Sequence, residues 1–286
     1  MRKTFNLLIA SIFALLLLSG CAADNSNTNN SNTTDTTNST NATNTADNVP
    51  VASELKKTCL QLTTACENGS TFFNYNYAEN IDDGRGITFG IIGFTTGTYD
   101  GNELIKYYTQ LNPNNNLAKY ISALDKIDSG KRDAEDKSAD VTGLANFIND
   151  VKACDDPLFK KAQLYELDAH YWNPAVKLAD SIGAKNNLTL AFIYDTCVNH
   201  GADGAQDFIN EVKGELNGTP AIGTNENEFL SVLMDNRYNY LKKDDPDGAK
   251  RVKAYEKLLT DGNVDLKTPF EFTVFGGKYK IDGNVY

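Results

Sequence analysis

The sequence has little of what many active sites are built from. It holds only two histidines, His170 and His200, which is scant material for a Ser-His-Asp triad or a histidine-rich metal centre. Its five cysteines include no Cys-x-x-Cys pair, which tells against zinc. The acidic runs lack the alternating ligands and terminal glutamate of a calcium loop. Gly84-x-Gly86 has no hydrophobic strand before it and no third glycine in register, so it is not a dinucleotide fingerprint. No metal and no cofactor is expected. Positive charge is also short: 27 Lys and Arg face 38 Asp and Glu, a net charge of −11. Such a surface repels nucleic acid and attracts polycations.

The N-terminus lacks an apolar run long enough to span a bilayer. Arg2-Lys3 precedes the 12-residue run Leu7 to Leu18, a charged segment plus a short apolar core that reads as an export signal. Leu18-Ser19-Gly20-Cys21 matches the bacterial lipobox, in which the cysteine is acylated and becomes the mature N-terminus. Residues 1–21 are therefore expected to be a lipoprotein signal. The mature protein is expected outside a prokaryotic membrane, anchored to lipid through Cys21. Residues 22–50 are almost wholly Asn, Ser and Thr, a composition that cannot offset the entropy of ordering. They read as a flexible tether spanning about 30 Å as a random coil. Residues 51–286 form the folded domain, expected to be a monomer.

Cys59, Cys66, Cys154 and Cys197 could form two disulfides in an exported protein, with three connectivities open. Cys59 and Cys66 are excluded as partners because a helix sets their Cα atoms about 10 Å apart.

Most of the domain reads as helix. Leu55, Cys59, Leu62 and Cys66 make one apolar face that ends at Glu67, and Gly69 stops it. Asp100-x-x-Glu103 and Asn225-x-x-Glu228 resemble capping boxes. Residues 129–140 form a charged loop with no apolar anchor, and helix resumes at Val141. Pro157 opens a helix expected to end at Asn173-Pro174, where the next begins. Leu188 to His200 is the most apolar helix and the candidate central element. Further helices are expected near 207–216, 225–241 and 250–259. Only the tail reads as sheet: Phe270, Phe272 and Val274 alternate, Gly276-Gly277 turns, and Tyr279 and Ile281 alternate back.

Glu67 to Asp100 keeps neither a helical nor a strand period. It interleaves Glu67, Glu79, Asp82, Asp83 and Asp100 with Tyr75, Tyr77, Arg85 and Thr88, and Gly84 opens a glycine-rich half. A continuous helix would hold Glu67 and Asp83 roughly 24 Å apart. A reversal between them lets two carboxylates face each other across a cleft.

This stretch resembles the signature of family 46 glycoside hydrolases, the endo-acting chitosanases. The matching elements are Glu67-Asn68, Tyr77-x-Glu79, the run Asp83-Gly84-Arg85-Gly86-x-Thr88-x-Gly90-Ile91-Ile92-Gly93-Phe94, and Gly97-Thr98-x-Asp100. The resemblance continues through Glu103-Leu104, Tyr108-Thr109 and Leu117-Ala118-Lys119-Tyr120. Downstream it includes Tyr171-Trp172-Asn173-Pro174-Ala175, Tyr194-Asp195 before His200-Gly201, and Gly262-Asn263-Val264-Asp265-Leu266. The Glu67 to Asp83 interval is shorter than in Streptomyces-type members, so the loop after Glu67 is expected to differ.

The resemblance implies a mainly α fold with a small β component, two-lobed and lysozyme-like, with a substrate cleft between the lobes. It implies inverting hydrolysis of chitosan, a polycation, with Glu67 as general acid, Asp83 as general base and Thr88 helping to hold the attacking water. Cys66 and Phe72 would give Glu67 apolar surroundings, and Arg85 would keep Asp83 ionised. Tyr77, Glu79, Arg85 and Asp100 match substrate-contact positions, although Asp100 could equally be a helix cap. Asp244, Asp245 and Asp247 lie where alignment slips and receive no role. Two other classes share parts of the pattern: a tethered sugar-binding lipoprotein, which needs no facing carboxylates, and a peptidoglycan hydrolase, which gains nothing from an acidic groove.

Overall fold

The computed structural model describes residues 53–285. The signal, the whole of the tether and the Cys21 lipidation position lie outside them.

Helix α1 (Glu54–Asn68) opens on Ser53, whose hydroxyl accepts from the Lys56 N–H at 3.2 Å, and closes on Gly69 in the left-handed conformation. The apolar face anticipated from the sequence is buried, with Cys59, Leu62 and Cys66 all in the core. The sheet of the next segment is what periodicity alone missed. Strands β1 (Ala78–Asn80), β2 (Ile87–Phe89) and β3 (Phe94–Thr95) form a small antiparallel sheet, with Glu79 opposite Thr88 and Thr88 opposite Thr95. Strands this short cannot show alternation, which is why only the tail looked like sheet.

The sheet is fixed from behind by Gln163, whose amide accepts from Ile91 N–H at 3.0 Å and donates to the Tyr75 carbonyl at 3.0 Å. Helix α2 (Asp100–Leu111) follows, then α3 (Ile121–Ser129) and α4 (Phe147–Lys152). Helix α4 starts six residues later than the expected Val141. The intervening residues make turns in which Leu144 N–H bonds Val141 O and Phe147 N–H bonds Leu144 O.

Helix α5 (Pro157–Leu167) begins on proline with Asp156 as its cap. It does not end at Asn173-Pro174 as expected. Residues 168–172 form a π-helical turn closed by Asn173 N–H to Asp168 O, and α6 (Asn173–Ile182) continues directly. A proline inside a helix lacks one donor and crowds the preceding turn, and the wider π turn relieves both.

Helix α7 (Asn187–Leu216) is the buried central element and is bent at Gly201, whose φ of 74° and ψ of 168° separate its two helical parts. Helices α8 (Glu226–Asp244) and α9 (Lys250–Thr260) pack around it, and Asn225 caps α8 through Glu228 N–H as expected. Strands β4 (Phe270–Val274) and β5 (Gly277–Ile281) pair antiparallel; the turn is Phe275-Gly276, both at positive φ, one residue before the glycine pair anticipated. Gln61 of α1 ties this hairpin down: its side chain accepts from Asp282 and Gly283 N–H and donates to the Asn284 carbonyl.

The four described cysteines are free, so no disulfide holds them together; Cys59, Cys66 and Cys197 are buried as small apolar side chains. Burial pushes the Cys197 thiol up to about 12. No described helix is long and apolar enough to cross a membrane.

Candidate active site

Glu67 arrives at the last turn of α1 with its side chain 6% exposed. Its surroundings are ionic rather than apolar. Phe72 is 51% exposed, while Arg251 of α9 donates through Nη2 to Glu67 Oε1 at 2.5 Å. The same nitrogen donates to Asp195 Oδ1 at 3.0 Å, and Arg237 Nη1 donates to Asp195 Oδ2 at 2.7 Å. Arg237 and Asp195 are completely buried. Burial opposes the charge on Asp195, but the two guanidiniums outweigh it and hold the carboxyl below its ordinary range. Two acids and two arginines thus balance one another behind the cleft. Asp195 carried a signal that could have been read: it is the one charged residue in the apolar run Phe192 to Val198, where an unpaired charge would not survive. Arg251 carried none, because nothing in the pattern of α9 separates it from its exposed lysines.

Asp83 sits in the turn between β1 and β2, its side chain 14% exposed. Arg85 grips it three ways: backbone N–H to Oδ1 at 3.0 Å, Nε to Oδ2 at 2.7 Å and Nη2 to Oδ2 at 2.5 Å. Arg85 is itself buried, and its guanidinium orients Asp83. The turn places Asp82 at a φ of 56°, with Gly84 and Gly86 also in positive φ, so the chain reverses tightly enough to present Asp83.

Thr88 lies on the central strand with its hydroxyl buried and without a hydrogen-bond partner among the described residues. Across the ladder, Glu79 is exposed, and the Tyr77 hydroxyl donates to Glu79 Oε2 at 3.3 Å. Partial burial and then Glu79 raise the Tyr77 hydroxyl above its usual range.

Asp100 is the first residue of α2, and its carboxylate is turned back on its own loop. Oδ1 accepts from Thr95 N–H at 3.2 Å, Thr98 Oγ1 at 2.8 Å and Gly101 N–H at 2.9 Å. Burial raises it to about 6 against those three donors. The capping box is absent, because Glu103 does not reach back: it bonds His170.

The π turn also carries Tyr171, for which the sequence alone suggested no site role. Burial, then the charges of Asp100 and Glu67, push the Tyr171 hydroxyl well up. The neighbouring His170 contacts Glu166 Oε2 at 3.1 Å and Glu103 Oε2 at 3.3 Å. These three are the group of described side chains that could hold a metal ion. Glu103 and Glu166, in that order, hold the imidazole protonated up to about 10, so the cation between the two carboxylates is the ring itself. His200, by contrast, is kept neutral by burial, down to about 3. Asp245 and Asp247 make local contacts, to Gly248 N–H at 2.8 Å and Lys250 Nζ at 2.6 Å.

The family model described as glycosyl hydrolase family 46 matches residues 61–270. A chitosanase of Bacillus subtilis (strain 168) is 34% identical over 227 residues, 75% of this chain and 80% of the relative. A chitosanase of Streptomyces sp. (strain N174) is 36% identical over 236 residues, 79% of this chain and 82% of the relative. Among solved structures, native chitosanase from Bacillus subtilis MY002 superposes with a TM-score of 0.72 at 32% identity, covering 80% of this chain and 98% of the other. The Gynuella sunshinyii family 46 chitosanase in complex with chitotetraose gives 0.72 at 29% identity, covering 81% and 98%. A mutant of the Bacillus subtilis MY002 enzyme is complexed with six GlcN units. These likenesses give the described residues a lysozyme-like fold, mainly helical with minor sheet. The chain belongs to glycosyl hydrolase family 46 and is a glycoside hydrolase of the chitosanase type.

Proposed function

We propose that this protein is an endo-acting chitosanase that cleaves internal β-1,4 glucosamine linkages with inversion, working outside a prokaryotic membrane on a lipid anchor at Cys21. The observation that carries the mechanism is the contrast between its two carboxylates. Asp83 is held by three donors from Arg85, which leaves part of its lone-pair capacity free for a water. Glu67 is backed by Arg251, which stabilises the carboxylate formed once the proton has gone to the leaving oxygen.

In this reading Asp83 draws a proton from the water that attacks the anomeric carbon, and the free buried hydroxyl of Thr88 holds that water. Tyr77 and Glu79, joined to each other, and Asp100 receive the sugar rings and their ammonium groups. The reading is supported by the chitotetraose and six-GlcN complexes of the relatives and by the acidity of the chain. Glu67→Gln and Asp83→Asn should each lower chitosan hydrolysis by at least about 10²-fold with unchanged far-UV circular dichroism. Near-normal reducing-end release by either variant contradicts the assignment.

A further inference from the structure

The charged stretch at 129–140, for which the sequence offered no apolar anchor, is anchored by an arginine instead. Arg132 has its side chain only 7% exposed although it lies in a loop. Its Nη1 donates to the Gly97 carbonyl at 2.5 Å and to the Asp136 carbonyl at 3.1 Å, and Nη2 donates to Asp128 Oδ1 at 2.9 Å. Gly97 is where three backbones meet. Its carbonyl also accepts from Ser138 N–H at 3.0 Å, and its own N–H donates to the Arg85 carbonyl at 2.9 Å. A Cβ there would stand 1.9 Å from Ser138 O and 2.7 Å from Arg85 O, so only glycine permits the junction. The path from Arg132 to the proposed base is therefore short: Arg132 holds Gly97, Gly97 holds the backbone of Arg85, and Arg85 holds Asp83.

The same guanidinium lies over the Tyr99 ring at 3.7 Å from its centroid, and the Tyr99 hydroxyl donates to Asp136 at 3.0 Å. Tyr99 adopts a φ of 73°, a conformation that L side chains avoid and that persists only when the surroundings impose it. It directly precedes Asp100. One buried cation thus supports both the turn that presents Asp83 and the corner that presents Asp100.

We propose that Arg132 is a positioning residue for hydrolysis, one that sets Asp83 through Gly97 and Arg85 and sets Asp100 through Tyr99. The inference rests on the proposed roles of Asp83 and Asp100. Arg132 touches no substrate; it acts by fixing two loops whose displacement by about 1 Å is enough to cost on the order of 10² in rate.

The test compares Arg132→Met, which keeps the buried stem and removes the donors, with Arg132→Lys, which restores a cation and a donor to Gly97. Steady-state kinetics on a defined glucosamine hexamer, run well below the melting temperature of each variant, should show kcat of Arg132→Met lowered 10- to 100-fold and KM raised severalfold. Arg132→Lys should recover part of kcat. A folded Arg132→Met with both constants within twofold of the parent overturns the proposal, as does a loss of activity that only follows the unfolded fraction. Should Arg132→Met not fold, Asp128→Asn decides: a severalfold lower kcat in a folded protein supports the proposal and an unchanged kcat overturns it. Asp83→Asn runs alongside. If it stays active, the base assignment has failed; if it is dead while Arg132→Met is normal, the positioning role alone has failed.

Discussion

Arg251 brings its guanidinium to 2.5 Å from the Glu67 carboxylate, linking the last turn of the first helix to the first turn of the last one. The contact is buried on both sides and is shared with Asp195. It turns a cleft residue into one end of a charge network that runs into the core at Arg237.

Breaking that network at Arg251 should be costly. Arg251→Met leaves the fully buried Asp195 with one cation instead of two and strands Glu67, a change worth roughly 3–5 kcal/mol. Thermal unfolding should show a melting temperature lower by on the order of 10 °C. Hydrolysis by the folded variant should fall as well. A melting temperature within about 2 °C of the parent would remove the network as a source of stability.

His170 makes stability depend on alkaline pH. Its folded-state value is raised from 6.5 to about 10 by Glu103 and Glu166, so the clamp between α2 and the π turn is fully present below pH 6.5 and is lost as pH rises through about 10. Because the ring is partly exposed, the contribution is about 1–2 kcal/mol after solvent screening. Urea unfolding at intervals from pH 6 to 10.5 should show this decline, and His170→Gln should flatten it. An equal decline in the variant would assign it to other groups.

Asp100 should make ligand binding sensitive on the acid side. Burial raises it to about 6, so it loses its negative charge as pH falls through that value. The ammonium groups of a glucosamine tetramer only gain protons over the same fall, so any weakening comes from the protein. In the Glu67→Gln background, affinity measured by calorimetry should drop between pH 7 and 5, and less so with Asp100→Asn added. Affinity should also drop with added salt and with N-acetylation of the ligand. Equal affinity for chitin and chitosan tetramers would count against Glu79 and Asp100 as sugar contacts.

How much of this was legible depended on what kind of signal each residue left. Helices that bury a continuous face, such as α1 and α7, could be read from the spacing of Cys59, Leu62 and Cys66 or from the apolar run around Phe192. Strands of two or three residues left no period, so the β1–β3 sheet was hidden inside a stretch that otherwise carried the whole signature. The junction at Asn173-Pro174 misled because proline usually ends a helix, whereas the π turn before it lets the helix run through. Asp83 and Arg85 are two residues apart and their pairing could be foreseen. Glu67 and Arg251 are 184 residues apart, and only the folded chain brings them together. For the same reason Arg132 looked like part of a solvated charge run.

The anchor is tested separately. Cys21→Ser should abolish lipidation and move the protein from the detergent phase to the aqueous phase on Triton X-114 partitioning, because residues 22–50 offer no substantial apolar surface to a bilayer. Detergent-phase retention of that variant would contradict the lipoprotein reading.

The central claim is that Asp83 activates a water rather than attacking the sugar itself. An inverting pair leaves room for that water, with carboxyls about 6.5–9.5 Å apart in the working complex, whereas a retaining pair sits near 5–5.5 Å. Proton NMR of a glucosamine hexamer digest, recorded before mutarotation, reads the outcome directly. The account predicts that the first product from the β-linked substrate is the α-anomer. An initial β-anomer, or a glycosyl group trapped on Asp83, would contradict it.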